Sequence, residues 1–309
     1  EVITTTHTFT ASAEVARYLG ADVKLVDIDP ATYCISPAAL EVAITPRTKC
    51  VVPVHYGGLA ADMTAILAIA KRHGLKVVED AAHALPTTHR GQLIGTLDSD
   101  ATVFSFYANK TMTTGEGGML VTRHPELAAR AKVMRLHGIN RDAFDRFTAK
   151  VPSWYYEIVA PGFKYNLTDI AAAMGLHQLQ RIEGFRTRRE AIARRYDEAL
   201  ADLPIVLPPR PVHAEDVHSW HLYVVRTKDR AGLMAKLDAA NSQHGIHYPI
   251  PLHLQEAYKG LGHRSDAFPA AEKSSSEFVS LPMYAELSDE QIEFVARGIK
   301  SSLGFPVKS

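Results

Sequence analysis

Short apolar runs alternate with helix-length stretches along the first 140 residues, and no other feature of the sequence constrains the fold as tightly. Residues 1–6, 23–28, 50–54, 75–78, 101–106 and 119–121 read as strands. The first helix opens near Ser12 or Thr10, either of which can cap it, and ends at Gly20. Ser36-Pro37 starts the next, as a cap followed by Pro at the first helical position. Met63–His73 carries apolar Ile66, Leu67, Ile69 and Ala70 and is closed by Gly74. Pro125–Leu136 is a further helix. Short apolar strands joined by helices are crossover units, so the expected class is α/β: a mostly parallel sheet covered by helices on both faces. Ligands of such sheets sit beyond the carboxyl ends of the strands, which is where His55, Asp80 and Lys110 fall.

The pattern changes downstream. Residues 139–162 read as a long loop in which charges (Arg141, Asp145) mix with Trp154, Tyr155 and Tyr156. Thr168-Asp169 then caps a helix from Ile170 to Leu179 that is rich in small residues, including Ala171, Ala172, Ala173 and Gly175. Such a helix suits close approach at a subunit or domain contact, or ordinary internal packing. A charged helix spans Arg186–Leu200, and Pro204, Pro208, Pro209 and Pro211 mark a boundary. Beyond it we expect strands at His221–Arg226 and Ile246–Tyr248. Helices are expected at Arg230–Ala240, Ala267–Ser275 and Ser288–Lys300, and near Leu254–Gly260. The division is therefore a large domain over 1–182, then a linking helix and a small C-terminal α+β domain over 183–309.

Charge narrows the partners. Lys plus Arg equals Asp plus Glu at 34 each, which argues against a nucleic-acid or membrane-surface binder. No apolar run reaches the roughly 18 residues of a membrane span. Cys34 and Cys50 are the only cysteines and form no CxxC pair, consistent with free thiols in the cytoplasm. The histidines are scattered, and the densest group, His244, His247 and His253, lacks metal-ligand spacing, so no metal is expected. The sequence opens at Glu1-Val2-Ile3, already strand-like and without Met, and we expect upstream sequence to be missing.

Two residues carry the chemistry. Asp80 ends the strand KVVED and is followed by small residues; it is either a helix cap or a fixed negative charge facing a ligand. Glu79 must point to the opposite face, because strand side chains alternate. Lys110 stands in ANKTMTTGEGG, between two apolar strands, with no carboxylate nearby in sequence. It is a solvated loop charge, half of an ion pair with Asp80, or, with Asp80, one side of an aromatic cofactor. Pyridoxal phosphate asks for such a set: a lysine for its Schiff base, a carboxylate for its ring nitrogen, and donors for its phosphate.

Five blocks in order then resemble the DegT/DnrJ/EryC1/StrS family of sugar aminotransferases, which have the type I pyridoxal phosphate fold. They are EVITTTHTFTAS, VDIDPATYCISPAALEVAITPRTKCVVPVHYGG, VVEDAAHALPTTHRGQLIGTLDSDATVFSFYANKTMTTGEGGMLVT, GFKYNLTDIAAAMGLHQLQRI and HYPIPLHLQ. The resemblance implies pyridoxal 5'-phosphate as cofactor, with Lys110 matching the Schiff-base lysine and Asp80 the partner of the pyridine nitrogen. His83 matches a contact to the 3' oxygen and Ser105 a phosphate contact. Phe9 falls where an aromatic side chain stacks on the ring. Asn166 matches the asparagine that reaches the neighbouring subunit's phosphate, which implies a homodimer with shared active sites. His253 and Tyr248 fall near the sugar-nucleotide site. The implied activity is transamination of a nucleotide-linked keto-sugar, with L-glutamate as donor, in amino-sugar biosynthesis for a surface polysaccharide or a glycosylated metabolite.

Members of the family also carry an upstream Gly-Ser/Thr phosphate loop that this sequence lacks. That lack is the support for an alternative, a non-catalytic or regulatory protein that keeps the fold. Relatives with histidine at the lysine position are sugar dehydratases; Lys110 points away from that branch.

Overall fold

The computed structural model describes residues 1–140 and 154–305. Arg141 and Asp145 of the expected long loop lie outside the described residues. The strands of the first part are β1 (Val2–Thr5), β2 (Val23–Val26), β3 (Cys50–Val52), β4 (Lys76–Asp80), β5 (Thr88–His89), β6 (Gln92–Leu93), β7 (Ala101–Ser105) and β8 (Gly118–Val121). Its helices are α1 (Ala11–Tyr18), α2 (Pro37–Ala43), α3 (Met63–His73) and α4 (Pro125–Met134). A six-stranded sheet forms in the order β2-β1-β3-β4-β7-β8. Its pairs are parallel except β7 with β8, which are antiparallel. A mostly parallel sheet flanked by helices is what the alternation of short apolar runs dictates, because both faces must be covered. Ile3, Val51 and Val77 are buried in it, and Leu40, Met63 and Ile66 of the flanking helices close over the same core.

Local chemistry sets several boundaries. Ser36 accepts from the Ala39 N–H and Asp62 from the Ala65 N–H, capping α2 and α3. Gly74 ends α3 at φ 64°, the left-handed conformation that glycine adopts most easily. Thr10 stands at the cap position of α1, but its side chain bonds Glu14 rather than the backbone, and Ser12 lies inside the helix with its hydroxyl on Thr8 and Asp80.

The second part contains α5 (Asp169–Leu179), capped by Thr168, and the long α6 (Ile182–Leu200). It continues with β9 (Tyr223–Arg226), α7 (Arg230–Ala239), α8 (Pro269–Glu277), β10 (Phe278–Leu281) and α9 (Asp289–Ser302). β9 and β10 pair antiparallel. Alternation along them serves two apolar clusters: Val224 and Phe278 join the core of the large sheet, and Tyr223, Val225, Val279 and Leu281 join a second core. Ile192 and Tyr196 of α6, Leu233 and Leu237 of α7, and Ile292 and Ile299 of α9 complete that second core.

The expected strand at Ile246–Tyr248 does not form; only Gly245 bridges Ser280, and a cis peptide bond joins His247 to Tyr248. The backbone there is spent on the site rather than on the sheet: Tyr56 donates its hydroxyl to the His247 carbonyl. The helix expected near Leu254–Gly260 is instead a pair of 3-10 turns, Leu252–Leu254 and Glu256–Leu261. Among the described residues no helix is long and apolar enough to cross a membrane.

Candidate active site

Asp80 sits at the carboxyl end of β4, one strand from β7, whose end leads into the lysine loop. The strand splits its two acids between faces. Glu79 is fully buried and accepts from Thr102 Oγ1 at 2.8 Å, with His55 Nε2 2.9 Å away. Since His55 Nδ1 accepts from the Ala61 N–H, its proton lies on Nε2 and is donated to Glu79. His55, one of the residues at the strand ends, is thus tied into the structure beneath the sheet. Asp80 faces the other way, into a cavity of about 770 Å³. Its Oδ2 accepts from Ser12 Oγ at 2.5 Å and its Oδ1 from the Ala82 N–H at 3.1 Å. Ser12 is in turn held by Thr8 at 3.0 Å.

Lys110 lines the same cavity, on a loop closed by its own backbone. Phe106 C=O accepts from the Thr114 N–H and from Thr113 Oγ1, and the Phe106 N–H bonds the Gly117 carbonyl. The return through Gly115-Glu116-Gly117-Gly118 needs its glycines. At Gly117 (φ 152°) a Cβ would lie 2.4 Å from Thr114 Oγ1 and 2.9 Å from Leu167. The small-residue helix α5 packs here as well, since a Cβ on Gly175 would come within 3.0 Å of Thr114. The loop is therefore clamped from both sides.

No carboxylate lies within ion-pair distance of Lys110 Nζ among the described residues. Burial holds its amine below the ordinary lysine range, and the Asp80 charge opposes that shift only in part. Lys110 is thus neither a solvated charge nor half of a closed ion pair.

The remaining sequence candidates divide. Phe9, His83, Ser105 and Tyr248 line the cavity. Phe9 is 59% exposed and its ring is 6.3 Å from that of Tyr248. Ser105 Oγ accepts from the Tyr107 N–H at 3.3 Å, at the mouth of β7. His83 is buried, and its Nδ1 accepts from the Gly57 N–H at 3.2 Å, which leaves the proton on Nε2. Burial, reinforced by Lys110, pushes His83 well below the usual histidine range, so its ring is neutral. Asn166 does not line this cavity; its amide oxygen bonds Lys164. His253 is buried away from it, with Nδ1 2.8 Å from Thr6 Oγ1 and Nε2 3.1 Å from Glu272.

Other lining residues carried no readable signal. Ser12 looks like a cap, and nothing in HTFTAS shows that its hydroxyl belongs to Asp80. His221 and His247 also line the cavity, brought there from the second part of the chain. The positive-φ turn at Gly57-Gly58 was the available clue to His221, because it marks a place where another backbone comes close.

A family model described as the DegT/DnrJ/EryC1/StrS aminotransferase family matches residues 1–300. The spore coat polysaccharide biosynthesis protein SpsC of Bacillus subtilis is 44% identical over 308 residues, which cover 97% of this chain and 78% of that protein. DesV from S. venezuelae superposes with a TM-score of 0.88 at 35% identity, over 97% of this chain and 77% of that chain. Spr1654 of Streptococcus pneumoniae, solved in its PMP form, superposes with a TM-score of 0.89 at 33% identity, over 98% of this chain and 81% of that one; it has been solved in a PLP form as well. With a match that runs nearly the whole length of the sequence and includes the cavity, this chain belongs to the DegT/DnrJ/EryC1/StrS aminotransferase family.

Proposed function

We propose that this protein transfers an amino group from L-glutamate to a keto-sugar carried on a nucleotide, in amino-sugar biosynthesis for a surface polysaccharide or a glycosylated metabolite. The observation that carries the reading is that Lys110 and Asp80 line one cavity: an amine without an ion-pair partner among the described residues, and a carboxylate fixed by two donors.

These residues fit pyridoxal phosphate. Lys110 supplies the covalent attachment, and its burial favours the neutral, nucleophilic amine. Asp80 supplies the counter-charge for the ring nitrogen, and Ser12 with the Ala82 N–H hold that carboxylate in one orientation. Phe9 offers an exposed ring at the cavity wall, and Ser105 a hydroxyl at the strand end for the phosphate. His83 offers an Nε2–H to an oxygen of the ring. When bound, the cofactor supplies an electron-withdrawing ring that stabilises negative charge on the substrate carbon. Lys110 would also hold and move the proton at that carbon. The reading gives Tyr248, at the cavity wall, to the sugar; His253, held by Thr6 and Glu272, takes a supporting role.

The reading includes a homodimer with shared sites. Ile170, Met174, Leu176 and Leu179 of α5 are exposed on a helix that backs the lysine loop, and Asn166 stands just before it. It also takes residues 1–182 as the cofactor-binding unit and 183–309 as the linking helix and small domain. Cytoplasmic action fits two unpaired cysteines.

A panel of keto-sugar nucleotides assayed with glutamate tests the reading. Amination of at least one is expected; a protein that is colourless, and unlabelled at Lys110 after borohydride treatment with added pyridoxal phosphate, would overturn it.

A further inference from the structure

His83 is held by the Gly57 N–H, by Ser219 and by the ring of His221, and the last two come from one short segment of the second part of the chain. Ser219 Oγ donates to the His83 carbonyl at 2.6 Å, and the Ser219 N–H donates to the Gly58 carbonyl at 3.2 Å. Leu222 N–H bonds Gly57 C=O at 3.0 Å, on the same residue whose N–H holds His83 Nδ1. Between these anchors, the ring of His221 lies over the ring of His83, with centroids 4.3 Å apart and planes inclined by 35°. The approach is possible only because residue 58 is glycine: a Cβ there would lie 2.2 Å from Ser219 Oγ and 3.0 Å from the Trp220 N. The segment is braced behind by Arg189, whose Nη1 donates to the carbonyls of Trp220 at 2.9 Å and Met283 at 2.8 Å.

His221 itself makes no side-chain hydrogen bond that would explain its identity. Its Nδ1 is buried without a partner among the described residues. A ring kept at that cost, with its backbone so closely fixed, acts through what it covers.

We propose that His221 is a positioning residue: by packing its tilted ring against His83 across the junction of the two parts, it excludes water from that ring and keeps its Nε2–H oriented as a donor to the cavity. The inference rests on the reading of the cavity as a cofactor pocket. The groups that face His83 are Lys110, His221 and His247, with the ring of Tyr56 at 6.3 Å. Burial acts on it first, and the charges of Lys110 and His247 act in the same direction, so loss of the His221 ring removes part of the burial and leaves those two groups as the brakes on protonation.

The test compares His221→Phe, which keeps a flat ring, with His221→Ala, which removes it, in the full-length protein. His83 is followed by histidine ¹³C–¹H NMR in cofactor-free protein, assigned with His83→Gln. Activity is followed against pH in the reconstituted enzyme. With Phe, the His83 titration stays as in wild type and kcat stays within about threefold of wild type. With Ala, His83 titrates upward toward the ordinary histidine range near 6.5. The acid limb of kcat moves up with it, and kcat falls about tenfold with little change in KM, the scale expected of a misplaced catalytic contact. An unchanged His83 titration in the Ala variant overturns the proposal. A Phe variant as impaired as His83→Gln also overturns it, and that arm decides even if the Ala variant does not fold. Absence of cofactor uptake by wild type would instead sink the pocket reading, while the cofactor-free titration still judges His221.

Discussion

Ser12 Oγ donates to Asp80 Oδ2 at 2.5 Å, so the first helix of the chain fixes the carboxylate at the end of its fourth strand. A hydrogen bond to a charged group contributes roughly 1.5–3 kcal/mol. Ser12→Ala should therefore lower kcat by about tenfold or more, with a smaller effect on folding, and Asp80→Ala should lower it further. Steady-state kinetics of the two variants and their double mutant check this. Full additivity would show that Ser12 does not act through Asp80.

Lys110 is held partly buried and, among the described residues, without an ion-pair partner; burial disfavours its charged form. Its folded pKa lies below the ordinary value, so the folded state binds fewer protons than the unfolded one between those two values, and stability rises with pH across that window. Lys110→Met removes the buried cation. It should abolish transamination and raise the stability of cofactor-free protein by about 1 kcal/mol. Denaturant unfolding of the two cofactor-free proteins measures this; a destabilised Met variant contradicts it.

Glu79 and His55 form a fully buried pair, completed by Thr102. Removing one partner leaves the other buried and unsatisfied. Glu79→Leu should cost about 3 kcal/mol in stability, whereas Ser105→Ala, at the end of the neighbouring strand, should cost far less. Urea midpoints compare them.

Acid should unfold the protein through its histidines. Burial holds His7 and His218 down at about 3 and pushes His83, His221 and His247 below their usual range; Lys110 adds to the effect on the last three. Each is neutral when folded but protonates near pH 6.5 when unfolded. Their contribution is fully present above that pH and is lost as pH falls below it. Each can remove about 1.4 kcal/mol per pH unit. Denaturation midpoints at pH 7.5, 6.0 and 5.0 should fall steeply over the last two. A flat profile would require these rings to be charged or exposed.

Local signals carried much of this structure in the sequence. Gly74, Ser36 and Thr168 act on neighbouring residues, and each marks a boundary where the structure has one. Strand alternation separated Glu79 from Asp80, because side-chain direction is a property of the strand alone. What stayed hidden depends on residues far away in sequence. Ser12 has the appearance of a helix cap until β4 is placed beside it, and His221 reaches His83 from 138 positions downstream. The Ile246–Tyr248 run has strand composition, but its backbone is claimed by Tyr56. Such partners leave no periodicity to read.

The reversed direction of β8 has a consequence for how the site is assembled. β7, the lysine loop and β8 form one hairpin, paired from Ser105 with Gly118 to Thr102 with Val121, all close neighbours along the chain. Asp80 reaches its place only through parallel crossovers that join distant stretches of chain. Contacts between near neighbours form faster than distant ones. We therefore expect the lysine to be poised before its carboxylate arrives, a two-stage maturation visible in pulse-labelling hydrogen exchange. The Thr114 amide, bonded to Phe106, should gain protection ahead of the Asp80 amide, bonded to Pro53.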